Sequence, residues 1–595
     1  MTTTIYEKYQ LIISGDAAAF RTDLETNVIE NGLERVKITL EAQESSSPPE
    51  IEIRWYHPIV DIYSFWHPGT YRSKRFYVDW ERGFTSKSSS HAPVCSLYNG
   101  RGDNRLTFAF SDAMNTVELK AGVNEETSSL ICSVRLFFEP SSPITRYEGT
   151  LYIDTRSVLF YDALNEVSKW WEMMPEYKPA FVPEPAKLPM YSTWYSFHQQ
   201  LSHEGIEEQC QLSKPLGCDT VIVDDGWQTA DNARGYAYCG DWEVYADKMG
   251  DMQKHVERVH QHDMKYMLWY SVPYIGIHSK IWNRFEHKLL KYIEPAGAGV
   301  LDPRYPEVRN YIIDCYVNAV REWNLDGFKL DFIDRFQADE KTIHKFDPEM
   351  DYRSVPQAVD RLMSDVIVRL QEVKPDIMIE FRQAYIGPLM RKYGNMFRAY
   401  DCPNDPLENR IRIVDLRLIS GNTAVHSDML MWNTEETVET AALHLINVLF
   451  SVPQISMLVD RLPKPHQRML EYWLGFWREQ RDVLLEGKLM PQFPELNYPL
   501  VTACNGSKRI ACVYADMVVH LGTSLPNRLI LINGTSKNSI IADLQDELGD
   551  ADITIRNCVG EIVDTFNGVN LAQGLRRFEV PASGTVDIFL RRGEV

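Results

Sequence analysis

The feature that most constrains this chain is a series of eight short apolar segments between Met190 and about residue 460, separated by longer amphipathic segments. Short apolar runs of this kind predict buried strands, and apolar residues at three- and four-residue intervals predict the intervening helices. Eight strands with helical crossovers predict a central (β/α)8 TIM barrel. The strand segments are MYSTWYSF, DTVIVDD, KYMLWYSV, GFKLDFI, IMIEF, MFRAYD, TAVHSDML and QISMLV.

Two β-rich regions flank the predicted barrel. Alternating runs such as VKITLEAQ and RLTFAF predict an N-terminal β-sandwich, and RIACVYAD and RLILINGTS predict a C-terminal antiparallel β-sandwich. The proline-rich segment PEYKPAFVPEPAKLP, residues 175–189, predicts an extended linker. A chain of 595 residues is also too long to fold around a single hydrophobic core. We therefore expect domains at residues 1–180, 181–490 and 491–595.

Composition narrows the possible partners. The chain has 83 acidic and 62 basic residues and a net charge of −21, which argues against nucleic acid or an anionic membrane as a partner. Residues 1–20 lack the basic and apolar regions of a signal peptide, and no uncharged apolar run of about 18 residues occurs, so we expect a cytoplasmic location. The ten cysteines form no CxxC pair, so the sequence signals neither a zinc site nor a disulfide framework. We expect no cofactor.

Acidic residues are concentrated where three of the predicted strands end. The second strand ends in VIVDDGWQ, the fourth in GFKLDFID and the sixth in FRAYDCPND. Active sites of such barrels collect residues from the C-terminal ends of the strands. A single acid after a strand is more often the N-cap of the next helix, but several on one rim favour a site.

Two of these acids are candidates for glycoside hydrolysis, which needs one ionised and one protonated carboxyl group beside the anomeric carbon. Strands four and six could bring Asp331 and Asp401 to about 5–5.5 Å, the spacing of retaining enzymes. Lys329 shares a strand face with Asp331 and would keep that carboxyl ionised. We expect the pKa of Asp401 to rise while Asp331 is charged and to fall afterwards. Asp405 is an alternative acid, or a helix cap.

The motifs VDDGWQ (223–228), GFKLDFID (327–334) and RAYDCPNDP (398–406) resemble the signature segments of glycoside hydrolase family 36. The last segment is especially similar to raffinose-synthase-like members. The resemblance covers the barrel and the three-part layout. It implies Asp331 as nucleophile and Asp401 as acid/base.

The resemblance also implies roles for sugar-binding residues. Asp224 and Asp225 would hold hydroxyls around O4 and O6 of galactose, and Lys329 would bind near O3 or O4. Arg382 would contact O2 or the acid/base region. Trp227 would either pack on the sugar or support the turn after the second strand. The chain departs from the family where EFRQAY (380–385) replaces a cysteine-, serine- and glycine-rich segment, which leaves the contacts around O2 open.

Several aromatic residues are candidates for the pocket wall, with a core role as the alternative for each. Those at strand ends are Trp194 and Tyr195 on strand one, Trp269 and Tyr270 on strand three, and Trp432, which together with Asp428 follows strand seven. The aromatic run from Ser64 to Trp80 could reach over the barrel mouth or belong to the sandwich core.

The sequence therefore predicts a retaining α-galactosidase that acts on a small oligosaccharide or glycoside, with a homo-oligomer possible from the family. Transglycosylation, or action on an α-N-acetylgalactosaminide or α-glucoside, is the alternative within this class. A magnesium-dependent hydrolase using Asp224, Asp225, Asp331 and Asp334 is a second class, against which the ammonium of Lys329 counts. A carbohydrate-binding protein without catalysis is a third.

Overall fold

A computed structural model describes residues 1–15, 18–71, 73, 75–522 and 525–591. The predicted fold class is confirmed: a parallel barrel lies between an N-terminal and a C-terminal group of sheets. The domain boundaries at residues 180 and 490 stay predictions. None of the helices in these described ranges has both the length and the hydropathy of a transmembrane segment.

The N-terminal sheets pack face to face around their own apolar core, which includes Trp55, Phe108 and Leu119. One sheet has the order β1-β2-β5-β12-β11-β7 with β8 also on β11, and the other has the order β3-β4-β13-β10-β9-β6. Helix α1 (Phe160–Glu172), which the β-rich pattern did not predict, follows them. The strands are β1 (Thr2–Tyr6), β2 (Tyr9–Ser14), β3 (Phe20–Glu30), β4 (Leu33–Ser46), β5 (Glu50–Pro58), β6 (Ser64–Trp66), β7 (Tyr77–Val78), β8 (Phe84–Ser86), β9 (Val94–Tyr98), β10 (Asn104–Phe110), β11 (Val117–Asn124), β12 (Ser129–Leu136) and β13 (Ile144–Asp154).

The barrel contains the eight predicted strands, and all except β21 are shorter than their apolar segments. They are β14 (Met190–Ser192), β15 (Thr220–Val223), β16 (Lys265–Ser271), β20 (Gly327–Asp331), β21 (Met378–Arg382), β22 (Met396–Arg398), β23 (Ala424–His426) and β24 (Gln454–Ile455). All pair in parallel, and bridges His426–Val452 and Leu430–Ile455 join the two ends of the sheet. An insertion after β16 forms a small antiparallel sheet of β17 (Tyr274–Gly276), β18 (Leu289–Ile293) and β19 (Ala298–Leu301).

The long helices cover the outside of the barrel and bury one face each, as their apolar spacing predicts. The predicted linker forms short 3₁₀ turns at Pro175–Tyr177 and Glu184–Lys187. The helices are α2 (Trp194–Phe197), α3 (His203–Ser213), α4 (Ala246–Met249), α5 (Met252–Gln261), α6 (Trp282–Phe285), α7 (Pro306–Trp323), α8 (Val355–Val373), α9 (Met390–Tyr393), α10 (Pro406–Arg417), α11 (Val438–Asn447) and α12 (Lys464–Leu484).

The C-terminal sheets have the orders β25-β26-β27-β29-β34-β31-β32 and β28-β30-β33. Most pairs are antiparallel, but β27–β29 and β28–β30 are parallel. The strands are β25 (Lys488–Gln492), β26 (Leu500–Cys504), β27 (Lys508–Val513), β28 (Val518–Leu521), β29 (Arg528–Asn533), β30 (Ile540–Leu544), β31 (Gly549–Arg556), β32 (Ile562–Leu571), β33 (Gly574–Phe578) and β34 (Thr585–Leu590).

One buried carboxyl joins the three parts of the chain. Asp415 on α10 accepts a hydrogen bond from the indole of Trp66 on β6 at 2.8 Å. The same oxygen, Oδ1, accepts a second bond from the hydroxyl of Tyr498 at 2.5 Å, just before β26. Hydrogen bonds to a charged acceptor are stronger than neutral ones, so this residue fixes both flanking regions to the barrel.

A second buried carboxyl, that of Asp326, lies directly before β20, at the N-terminal end of the barrel strands. Its buried carboxylate accepts hydrogen bonds from His260 and Lys374, both at 2.7 Å, and from the backbone of Tyr266 at 2.9 Å. Burial alone would raise the pKa of Asp326, but these partners hold it well below its usual range. A depressed pKa contributes stability above the unfolded value of about 3.9, and that stability is lost as the pH falls through the folded pKa.

We therefore predict that Asp326→Asn lowers the free energy of unfolding by about 3 kcal/mol at pH 7. The difference from wild type should shrink near pH 3, as measured by urea unfolding at both pH values. Asp376→Asn, an exposed residue in a nearby turn, is the control and should change stability by less than about 0.5 kcal/mol. An Asp326→Asn variant as stable as wild type at pH 7 would contradict this account.

Candidate active site

The strand-end acids meet on the C-terminal rim of the barrel, as their positions predict. Asp331 is the last residue of β20, Asp224 directly follows β15, and Asp401 lies three residues beyond the end of β22. The Lys329 ammonium, also on β20, is 2.5 Å from Asp224 Oδ2. Arg382, the last residue of β21, interacts electrostatically with both Asp331 and Asp401. These side chains therefore form one charged cluster.

Asp331 is a buried carboxylate surrounded by donors. Oδ1 accepts from Arg382 Nε at 2.7 Å, from the Tyr385 hydroxyl at 2.6 Å and from the Phe332 backbone at 2.8 Å. Oδ2 accepts a longer bond of 3.1 Å from the indole of Trp269. Burial opposes ionisation, but Arg382, Lys329 and these donors outweigh it and hold the pKa of Asp331 well below its usual range. Asp331 is therefore ionised at neutral pH.

Asp401 is the more exposed of the two acids, with 42% of its side chain accessible. Its Oδ1 accepts a hydrogen bond from Arg398 at 2.9 Å. Partial desolvation and the charge of Asp331 both raise the pKa of Asp401. The cations Arg398, Lys329 and Arg382 lower this pKa by a larger amount, so the net shift is downward. The raising effect that we expected from Asp331 is thus present, but three cations override it.

Asp224 and Asp225 have different environments, although they are adjacent. Asp224 pairs with Lys329, whereas Asp225 accepts amide hydrogen bonds from Gln199 and Gln228, both at 2.7 Å. Burial raises the pKa of Asp225 to about 7. The predicted contacts of both aspartates and of Lys329 with sugar hydroxyls stay predictions.

Arg382 connects the two predicted catalytic acids. Beyond its bond to Asp331, its guanidinium lies 4.8 Å from the ring centre of Tyr400, the residue before Asp401. A second contact, at 5.3 Å, is to the ring of Phe332. A guanidinium over the face of an aromatic ring is attracted to it electrostatically. The predicted contact of Arg382 with O2 stays a prediction.

The tryptophans predicted for the pocket have three different roles. Trp269 donates to Asp331 and so orients that carboxylate. Trp227 has no exposed surface, and its indole donates to the Trp269 carbonyl at 2.9 Å. It packs against Trp242 and Trp323, which matches its structural alternative and leaves no face for a sugar. Trp194 is half-buried against His198.

The prediction that Trp194 and Tyr195 lie on strand one is wrong. β14 ends at Ser192, and both residues lie in helix α2 because the Ser456 hydroxyl accepts the backbone N–H groups of Tyr195 and Ser196. Trp432 is also buried, and its indole donates to His466 rather than lining the pocket.

Two further alternatives from the sequence are resolved by contacts. The Asp405 side chain accepts the backbone N–H of Glu408 at 2.9 Å, which is the helix-cap role, at the start of α10. In the aromatic run from Ser64 to Trp80, the ring of Tyr71 packs edge-on against Tyr400 at 5.8 Å, so this loop does reach the barrel mouth. Residues 72 and 74 of the run lie outside the described ranges.

Sequence reasoning missed two residues that contact the catalytic candidates. Tyr385 donates to Asp331, and Arg398 donates to Asp401. An arginine at the end of an otherwise apolar strand, in MFR, was a usable signal for Arg398, because buried arginines are rare unless they are paired. Among the described residues, no group of three or more His, Cys, Asp or Glu side chains has the arrangement of a metal site.

Comparison with known proteins gives a consistent result. Residues 164–382 match the family model described as Melibiase. The chain is 23% identical over 216 residues to α-galactosidase 2 of Pediococcus pentosaceus, covering 35% of this chain and 30% of that protein. It is 25% identical over 275 residues to the bifunctional α-galactosidase/sucrose kinase of Mediterraneibacter gnavus, covering 44% and 27%. The matched regions thus span under a third of either relative's length.

The structural similarity to solved proteins covers nearly the whole chain. A glycoside hydrolase family 36 α-galactosidase of Geobacillus stearothermophilus, solved in complex with stachyose, aligns with 99% of this chain and 84% of its own, with a TM-score of 0.65 and 13% identity. The chain thus has the fold of the family 36 structures, with an acidic rim at the C-terminal ends of its barrel strands. The resemblance to family 36 inferred from the motifs is confirmed by the Melibiase region and by the family 36 fold.

The burial of Trp227 leads to a stability prediction. Trp227→Ala should lower the free energy of unfolding by about 3–5 kcal/mol, because it leaves a cavity among packed rings. Trp194→Ala, at a half-buried position, is the matched control and should have a much smaller effect; urea unfolding followed by circular dichroism measures both. A Trp227→Ala variant that keeps wild-type stability would show that this indole does not support the fold.

Proposed function

We propose that this chain is a retaining α-galactosidase in which Asp331 is the nucleophile and Asp401 the acid/base. The observation that carries the proposal is that an ionised, four-donor Asp331 and a more exposed Asp401 both interact with Arg382. Glycoside hydrolysis with retention requires two carboxyl groups, one that attacks the anomeric carbon and one that exchanges a proton with the leaving group and with water. The Melibiase match over residues 164–382, which includes Asp331, and the similarity to an α-galactosidase support the proposed activity.

In the first step, Asp331 attacks the anomeric carbon. Oδ2 is the better placed oxygen, because it accepts the single longer bond from Trp269 among the described residues, whereas Oδ1 is held by three donors. Asp401 gives its proton to the departing glycosidic oxygen. The product is a covalent glycosyl ester of Asp331 with inverted configuration.

In the second step, Asp401 accepts a proton from water as that water attacks the same carbon. Asp331 leaves as a carboxylate, which the 2.7 Å bond from Arg382 and the bond from Tyr385 stabilise. Two inversions give net retention.

The sugar preference is proposed from the ion pair of Asp224 and Lys329. This pair presents an anionic acceptor and a cationic donor beside the catalytic acids, and such groups make strong hydrogen bonds with neighbouring hydroxyls. Variants of the Geobacillus stearothermophilus α-galactosidase were solved in complex with stachyose and with raffinose. We therefore propose terminal α-galactosides of small oligosaccharides as substrates.

The test is a screen of nitrophenyl α-glycosides, followed by NMR of the first-formed sugar. We expect hydrolysis of the α-galactoside in preference to the α-glucoside and α-N-acetylgalactosaminide, with α-galactose appearing first. Asp331→Ala should abolish turnover, and Asp405→Asn, at the helix cap, is the matched control. First release of β-galactose, or preference for another glycoside, would overturn the proposal.

The lowered pKa values of both acids predict the pH dependence of hydrolysis. Asp331 stays ionised on the acid side of neutrality, while the fraction of Asp401 that holds a proton rises as the pH falls. We expect kcat/KM for raffinose to be higher at about pH 5 than at pH 8. A maximum above pH 7 would show that the cations around Asp401 do not control its ionisation in the substrate complex.

A further inference from the structure

One buried arginine lies among three carboxyl groups beside the proposed acid/base. Arg398 has no exposed surface in the described structure, and its two terminal nitrogens donate to Asp401 Oδ1 at 2.9 Å and to Asp428 Oδ1. Its Nε lies 3.5 Å from Glu380 Oε1 on the neighbouring strand β21. A guanidinium has a fixed planar shape, so the position of one partner constrains the others.

The second oxygen of Asp428 binds the loop that carries Asp401. Asp428 Oδ2 accepts the backbone N–H of Cys402 at 2.6 Å and the hydroxyl of Tyr195 at 2.9 Å. The backbone N–H of Asp428 donates to Asn409 at 3.0 Å on α10. Asp428 therefore fixes both the cation that contacts Asp401 and the peptide group directly after Asp401.

We propose that Asp428 is a positioning residue for the acid/base: by holding Arg398 and the Cys402 backbone, it sets the direction and the protonation of the Asp401 carboxyl. The inference rests on the proposed function, since it assumes that Asp401 acts as acid and base. Asp428 contacts neither the sugar nor the reacting atoms in this account. It acts only through Arg398 and the loop.

The charged groups around Asp401 and Asp428 determine the direction in which the pKa of Asp401 changes when Asp428 is replaced. Asp401 faces Arg398, Lys329, Arg382 and Asp331, whereas Asp428 faces Arg398, Asp401, Tyr195 and Cys402. Burial raises the pKa of Asp428 and of Glu380, while the cations lower that of Asp401.

Replacing Asp428 by Asn removes an acid that competes for Arg398. An amide also cannot accept from both Arg398 and Cys402 with equal geometry, since only one of its two polar atoms is an acceptor. Arg398 then interacts more strongly with Asp401, which favours the ionised form of Asp401 and removes the proton that the leaving group needs. The loss should be largest where leaving-group protonation is required.

The experiment compares kcat/KM for raffinose and for dinitrophenyl α-galactoside, whose leaving group needs no proton. Asp428→Asn should lose about ten-fold more activity on raffinose than on the aryl substrate, and the basic limb of its raffinose pH profile should move to lower pH. Asp405→Asn, on the same loop but without contact to Arg398, is the control and should change neither readout. Equal losses on both substrates with an unchanged pH profile would overturn the inference.

Two further variants make the result interpretable. Arg398→Lys keeps the charge but cannot bridge both carboxyls, so it should show the same leaving-group dependence and decides the question if Asp428→Asn does not fold. Asp401→Ala tests the proposed function itself. If Asp401→Ala lacks the leaving-group dependence, the proposed function fails; if it shows the dependence and Asp428→Asn and Arg398→Lys do not, only the positioning role fails.

Discussion

The ion pair between Arg382 and Asp331 is the interaction on which the site depends. A carboxylate buried in a barrel mouth is strongly unfavourable unless it is paired and hydrogen-bonded. Neighbouring parallel strands supply the partners: in the register of β16 with β20, Trp269 lies beside Lys329 and Ser271 beside Asp331, and β21 adds Arg382 at its end. The barrel thus places a donor or a cation on each side of one carboxylate.

The flanking regions support the second acid. Helix α10 is capped by Asp405, four residues after Asp401, and carries Asp415, which accepts hydrogen bonds from Trp66 and Tyr498. The N-terminal and C-terminal sheets therefore hold the helix that follows the Asp401 loop. The packing of Tyr71 on Tyr400 adds a contact from the N-terminal region at the rim itself. The contacts that join the flanking regions to the barrel therefore also support the loop that carries Asp401.

Much of the architecture could be predicted because parallel barrel strands are buried on both faces and appear as continuous apolar runs. The same reasoning placed Asp331 and Asp401 at strand ends. It failed for Trp194 and Tyr195, where the Ser456 hydroxyl accepts a hydrogen bond from the Tyr195 backbone and the chain forms a helix. It also missed Tyr385, because its contact with Asp331 joins residues 54 positions apart and periodicity carries no information about such pairs. Arg398 was missed although its place at the end of an apolar strand was a usable signal.

The central claim is that Asp331 forms a covalent bond to the sugar, and direct labelling tests it most clearly. A fluorinated α-galactosyl donor that forms the ester but hydrolyses slowly should inactivate the enzyme. Mass spectrometry of the digested protein should then place one galactosyl group on the peptide containing Asp331. A label on Asp401 or Asp224, or steady turnover without any labelled peptide, would contradict the account.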